Sequence, residues 1–66
     1  MDDALAAYDT GRTDGHAGHR DADRADHPQT GPDYLVGVVD GQLAAFEEEL
    51  VRAIRRALDT KQNGTG

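Results

Sequence analysis

The chain reads as an all-α protein, a two-helix hairpin with close glycine-lined helix packing, expected to dimerise into a four-helix arrangement. Three observations predict this. From Pro32 to about residue 60, apolar residues recur at alternating spacings of three and four. A shorter N-terminal run opens with acids and alanines and carries glycines that fall on one side of a helix. Between the two lies "RDADRADHPQTG", residues 20–31, whose aspartates, Pro28 and Gly31 mark a connection.

The first helix is predicted over about residues 3–19, with Asp and Arg alternating enough to carry it to about residue 25. Its sequence, "DDALAAYDTGRTDGHAGH", starts well and then meets Gly11, Gly15 and Gly18. Each mid-helix glycine costs about 1 kcal/mol relative to alanine, and an isolated helix would not survive three of them. A turn of 100° per residue places Ala7, Gly11, Gly15, Gly18 and Ala22 within an arc of about 80°. Such a smooth strip lets another backbone approach, so packing can offset the glycine cost. Strips of this kind are best known between membrane helices, but the flanking charges direct this one to a contact within the protein.

The second helix is predicted over about residues 32–60. Thr30 or Gly31 can cap it, Pro32 suits its first position, and Asp33 suits the positive end of its dipole. Val36, Val39, Leu43, Phe46, Leu50, Ala53 and Ala57 form the seam, widened by Ile54 and Leu58. Glu48 precedes Arg52 by four residues, a modestly favourable pairing. Arg55, Arg56 and Lys61 suit the negative end; Asn63 and Gly64 are expected to stop the helix, leaving residues 61–66 frayed. Gly37, Gly41, Ala44 and Ala45 cluster on one side, nearly opposite Val39, Leu43, Phe46 and Leu50. The small face is expected to take the first helix. The bulky face needs another partner, most economically a second copy.

At 66 residues the chain is one domain at most. A chain this short buries only about 60 % of its unfolded surface, and such chains usually need disulfides, a metal or a second subunit. Cysteine is absent, so no disulfide or thiolate site is available. No apolar run approaches the ~20 residues of a membrane span, and the acidic N-terminus lacks a signal-peptide core. A cytoplasmic protein is expected. Asn63-Gly64-Thr65 matches a glycosylation sequon, read as a chance match. The net charge is −6 and uneven: residues 1–33 carry eight Asp against three Arg, residues 34–66 five acids against four bases. Bulk electrostatics therefore oppose non-specific nucleic-acid binding.

No residue constellation carries a reaction. Serine and cysteine are absent, and the many carboxylates lack a walled pocket that would desolvate them. Neither catalysis nor a small-molecule substrate is expected. Gly11-x3-Gly15-x2-Gly18 is not a dinucleotide or P-loop pattern, having no preceding strand and no following Lys-Ser/Thr. His16 and His19, three apart on a helix, could share a metal with an Asp, but no second pair completes the spacing. No cofactor or metal is expected. Arg52, Arg55 and Arg56 either compensate the helix end and pair with Glu47, Glu48 and Glu49 or contact phosphate or an acidic partner. Tyr8 and Tyr34 either seal the end of a core or stack on bases.

Two glycine segments carry a family resemblance. "GRTDGHAGH" resembles the G-x-x-x-G-x-A-G-R segment of ribosome modulation factor, through Gly11, Gly15, Ala17 and Gly18. "YLVGVVDG" resembles that family's second segment through Tyr34, Leu35 and Gly37. The likeness covers roughly residues 7–41, with the order and approximate separation of the segments preserved. It departs from the family in being acidic, in carrying His19 where the family has Arg, in lacking the Cys-Pro-Tyr of the connection, and in carrying Val38 where an aromatic stands. The resemblance implies a two-helix fold and binding to the small ribosomal subunit that silences translation. In that role Arg12, Arg20, Arg52, Arg55 and Arg56 would face the ribosome. The alternative is an accessory subunit that binds another protein through Val39, Leu43, Phe46, Leu50 and Ile54.

Overall fold

A computed structural model describes residues 2–65, with side chains described for residues 2–60. Among the described residues three helices follow one another: α1 over Asp3–His16, α2 over Ala22–Ala25 and α3 over Gly31–Thr65. No strand occurs among the described residues. The particle is a rod, 58 × 22 × 12 Å, because 35 residues of α3 rise by about 52 Å at 1.5 Å each.

Local chemistry sets the ends of α1. The Asp2 carboxylate accepts from the backbone N–H groups of Ala4 and Leu5 at 3.1 and 3.2 Å, an N-cap that satisfies two otherwise free donors. At the other end Gly18 adopts φ +76°. Its N–H donates to the Gly15 carbonyl, and the His19 N–H donates to the Asp14 carbonyl. This is a Schellman cap, with glycine at the one position where the backbone turns left-handed. α1 therefore ends at His16 rather than near residue 19, and Gly18 is a cap rather than part of the packing strip, with nothing within 4 Å of where its side chain would stand.

The connection holds a helix that the aspartate-rich composition concealed. Asp21 caps α2 by accepting from the N–H groups of Asp23 and Arg24. The chain then turns on His27, whose Nδ1 accepts from the N–H groups of Gln29 and Thr30 at 3.2 Å each. Thr30 starts α3, its carbonyl taking the Tyr34 N–H at 2.9 Å. α3 then runs to Thr65, past the expected stop near residue 60. One glycine raises the free energy of a helix by about 1 kcal/mol but leaves its hydrogen bonding possible. The expected fraying concerns residues 61–66, whose side chains lie outside those described.

The two long helices pack through their glycines, and here the structure corrects the predicted hairpin. The Tyr8 hydroxyl donates to the Asp40 carboxylate, and His16 Nε2 lies 2.9 Å from Glu48 Oε2. Eight residues further along α1, the contact has moved eight residues along α3. The helices are parallel, whereas an αα-hairpin is antiparallel. The segment between them is accordingly a crossover that returns the chain along the length of α1. Gly11 and Gly15 of α1 interleave with Gly37 and Gly41 of α3, and all four are buried. A side chain on Gly11 or Gly15 would run into the backbone at Tyr34 and Val38, and one on Gly37 or Gly41 into that of Tyr8 and Arg12. Backbone lies against backbone along two turns of each helix.

Among the described residues the buried apolar side chains are Tyr34 and Val38, one turn apart on α3 and between the glycines. Tyr34 is 1 % exposed, yet its hydroxyl is fully used. It donates to Asp14 Oδ2 at 2.7 Å and accepts the Asp21 N–H at 2.8 Å. A single phenol thus ties α1, the crossover and α3 together. Gly31, also buried, lets the start of α3 close onto the Ala25 carbonyl of α2. No helix among the described residues is long and apolar enough to cross a membrane.

Candidate functional site: the uncovered face of the long helix

α1 covers α3 only as far as Glu48, and only on the glycine side. The apolar seam faces the other way. Val39 and Phe46 are each 61 % exposed, against 1 % for Tyr34 on the covered face. Leu43, Leu50 and Ile54 of the same seam are about half exposed, as are Val51 and Leu58. Beyond Leu50 every residue to Thr60 is exposed on all sides of the helix. A small monomer rarely leaves an apolar stripe of this extent exposed. The predicted interface residues Val39, Leu43, Phe46, Leu50 and Ile54 are thus brought onto one open face, whereas Gly11, Gly15, Gly37 and Gly41 are consumed by the contact with α1.

The predicted arginine surface is divided. Arg12 of α1 lines one groove with Arg52 and Arg55 of α3. Arg20, on the crossover, and Arg56 do not line it. The groove also contains Asp40, Glu47 and Glu48, so three cations face three carboxylates and no net positive field results. Among the described residues Arg24 forms an ion pair with Asp21, and the His16 imidazole contacts the Glu48 carboxylate. Glu48 thus turns to α1 and not to Arg52, and the arginines at 52, 55 and 56 do not pair with Glu47, Glu48 or Glu49.

The two histidines of the metal alternative are separated by the end of α1. His16 engages Glu48, and His19 lies beyond the Schellman turn, so they do not share a helix face. No group of three potential ligands is close enough to hold a metal among the described residues. Both tyrosines are committed to the helix contact. Burial raises the Tyr34 pKa above its ordinary value of 10.0, opposed by the Asp21 N–H and reinforced by the hydrogen bond to Asp14. The hydrogen bond to Asp40 raises that of Tyr8, with burial adding to it. Sequence reasoning missed the polar node at Tyr34 and the burial of Val38. Their signal was present, since both stand on the Gly37–Gly41 side of α3.

Comparison with known protein families, with curated proteins and with solved structures finds no match to this chain. The likeness to ribosome modulation factor rests on the two glycine segments alone.

Proposed function

We propose that this chain is a non-enzymatic binding protein whose working element is α3, acting by occupying a surface. The observation that carries the reading is the apolar seam of α3, left uncovered on the face opposite α1 and continuing past the end of the helix pair. The particular form suggested by the glycine segments is a role like that of ribosome modulation factor, a ribosome-associated silencer of translation. A homodimer formed through the seam belongs to this reading: α1 would lie on the outer faces, giving four helices in layers. Arg12, Arg52 and Arg55 would then supply the polar contacts to the ribosome.

Co-sedimentation with ribosomes at low and moderate salt tests it. Binding that weakens on Arg52→Glu and with added salt supports the ribosomal role; no co-sedimentation under either condition removes it. The exposure of the seam favours a second reading, an accessory subunit that holds a helix of another protein. In that case Leu43→Asp with Leu50→Asp abolishes complex formation while Arg52→Glu leaves it intact. Both leucines are exposed, so the double variant keeps its α1–α3 contact.

A further inference from the structure

Within that reading of α3 as an interaction surface, we infer that the occupant of the seam is a second copy of this chain, lying antiparallel in one register. Three observations lead there. The first is area. A compact monomer of 7.1 kDa exposes about 4,100 Å² by the usual mass scaling. This chain exposes 5187 Å², an excess of roughly 1,100 Å², and a standard interface covers about 800 Å² per partner.

The second is charge. Glu47–Glu49 is followed, after Leu50 and Val51, by Arg52, Arg55 and Arg56, and within the chain these two blocks do not pair with each other. A parallel pair would set Glu block against Glu block and Arg against Arg, and would bring both acidic N-terminal halves to one end. An antiparallel pair sets each Glu block against the other copy's Arg block and sends the acidic halves to opposite ends of the rod.

The third is register. With Val36, Leu43 and Leu50 in one heptad row and Val39, Phe46 and Ala53 in the other, the flanking positions on one side are Gln42, Glu49 and Arg56. Antiparallel helices bring such flanks of the same kind together. Placing the two-fold axis beside Val51 and Arg52 sets Glu49 against Arg56 of the second copy, twice. It also sets Phe46 against Ala57 and Leu50 against Ala53, large against small, as close interdigitation needs. Shifting the axis by half a heptad either way brings Glu49 onto Glu49 or Arg56 onto Arg56. The charge pattern therefore admits one of the three registers and opposes its neighbours.

The test uses the full chain. Sedimentation equilibrium should give twice the chain mass, and a monomer at every concentration overturns the inference. Glu49→Arg and Arg56→Glu should each weaken the dimer about tenfold, and the two together should restore it, since each swap turns two exposed attractions into repulsions. Failure of the double swap to restore it overturns the register. A spin label on exposed Gln42→Cys should lie roughly 30 Å from its mate along the axis, from about nine residues either side of it at 1.5 Å each. A separation near the ~10 Å between packed helices means a parallel pair and overturns the orientation. A monomer that still sediments with ribosomes removes this inference and the homodimer with it, and leaves the proposed ribosome binding standing. A dimer of the stated register that does not sediment with them does the reverse.

Discussion

Replacing Gly37 by alanine tests the parallel glycine contact directly, because two effects of known size oppose each other. On propensity alone the change stabilises α3 by about 1 kcal/mol. In the structure, however, the new Cβ would stand 2.1 Å from the Tyr8 carbonyl oxygen and 2.8 Å from the Arg12 nitrogen, where ordinary contact begins at 3.4 Å. Both obstructions are backbone, so no rotamer relieves them, and α1 must retreat by more than 1 Å. Overpacking of this kind costs typically 1–3 kcal/mol. The retreat also loosens the neighbouring contacts at Gly41, Val38 and Tyr34, which takes the cost to the upper end or beyond it. The expected net loss is about 2 kcal/mol or more, out of the roughly 3–10 kcal/mol that a chain of 66 residues holds. For so small a domain a loss of about 2 kcal/mol lowers the melting temperature by about 8–16 °C. Thermal melts followed by circular dichroism at one fixed protein concentration provide the measurement. An alanine variant that melts at or above the parent would mean that propensity wins and that α1 does not lie where it is described.

Other consequences are quicker to check. Gly18→Asn should melt close to the parent, because Asn tolerates the left-handed position, while Gly18→Val should cost about 1–2 kcal/mol although nothing lies near it; equal melts for the two would remove the Schellman cap. Asp21→Ala should cost about 1 kcal/mol through loss of the α2 cap, with Asp21→Asn close to neutral by the same thermal assay. The raised folded pKa values of Tyr8 and Tyr34 favour the neutral phenols in the folded state. The stability they contribute is therefore complete below their unfolded value near 10 and is lost as the pH rises through the raised values. Tyrosinate absorbance should titrate above pH 10 in buffer and return to about 10 in denaturant; coincident curves would contradict the burial of these hydroxyls.

How much of this was legible in the sequence depends on which interaction set each feature. The seam and the glycine strips follow from helical periodicity, a local property, and they stand where periodicity puts them. The direction of α1 relative to α3 is not local, since a small-residue strip fits a parallel or an antiparallel neighbour equally well. A signal was nonetheless available. Helices joined as antiparallel neighbours use about 2–8 residues, and a connection predicted at residues 20–31 is long for that and adequate for a return crossover. Gly18 was misassigned for a different reason: on an ideal helix it falls on the strip, and the angle alone cannot tell a packed glycine from one that ends the helix. The charged groove fared worst. Arginine positions on a helix can be read from spacing, and so can the neighbouring Glu47 and Glu48 of α3, but only the packed pair brings Arg12 of α1 and Asp40 into the same groove.

The last third of α3 offers the most discriminating observation on the role proposed for it. Residues 51–60 are exposed on every side; α1 shares a groove with Val51, Arg52 and Arg55 but buries none of them. This segment extends a helix already nucleated beside α1, so it needs no new nucleus, but each added residue gains little and the segment is prone to fray. In the proposed antiparallel dimer the seam of the other copy would hold it. The glycine-packed segment around Tyr34 and Val38 is held within one chain. Native-state hydrogen exchange should then divide α3 into two regions. Amides near residues 34–41 should be protected already in the monomer, with dimerisation adding only what it adds to global stability. Those near residues 51–57 should gain protection as concentration rises through the dimer dissociation constant, and lose it again on Leu50→Asp. Protection of residues 51–57 that is uniform along α3 and indifferent to concentration would mean that this helix stands without a cover, and the argument from its exposed seam to a partner would fail.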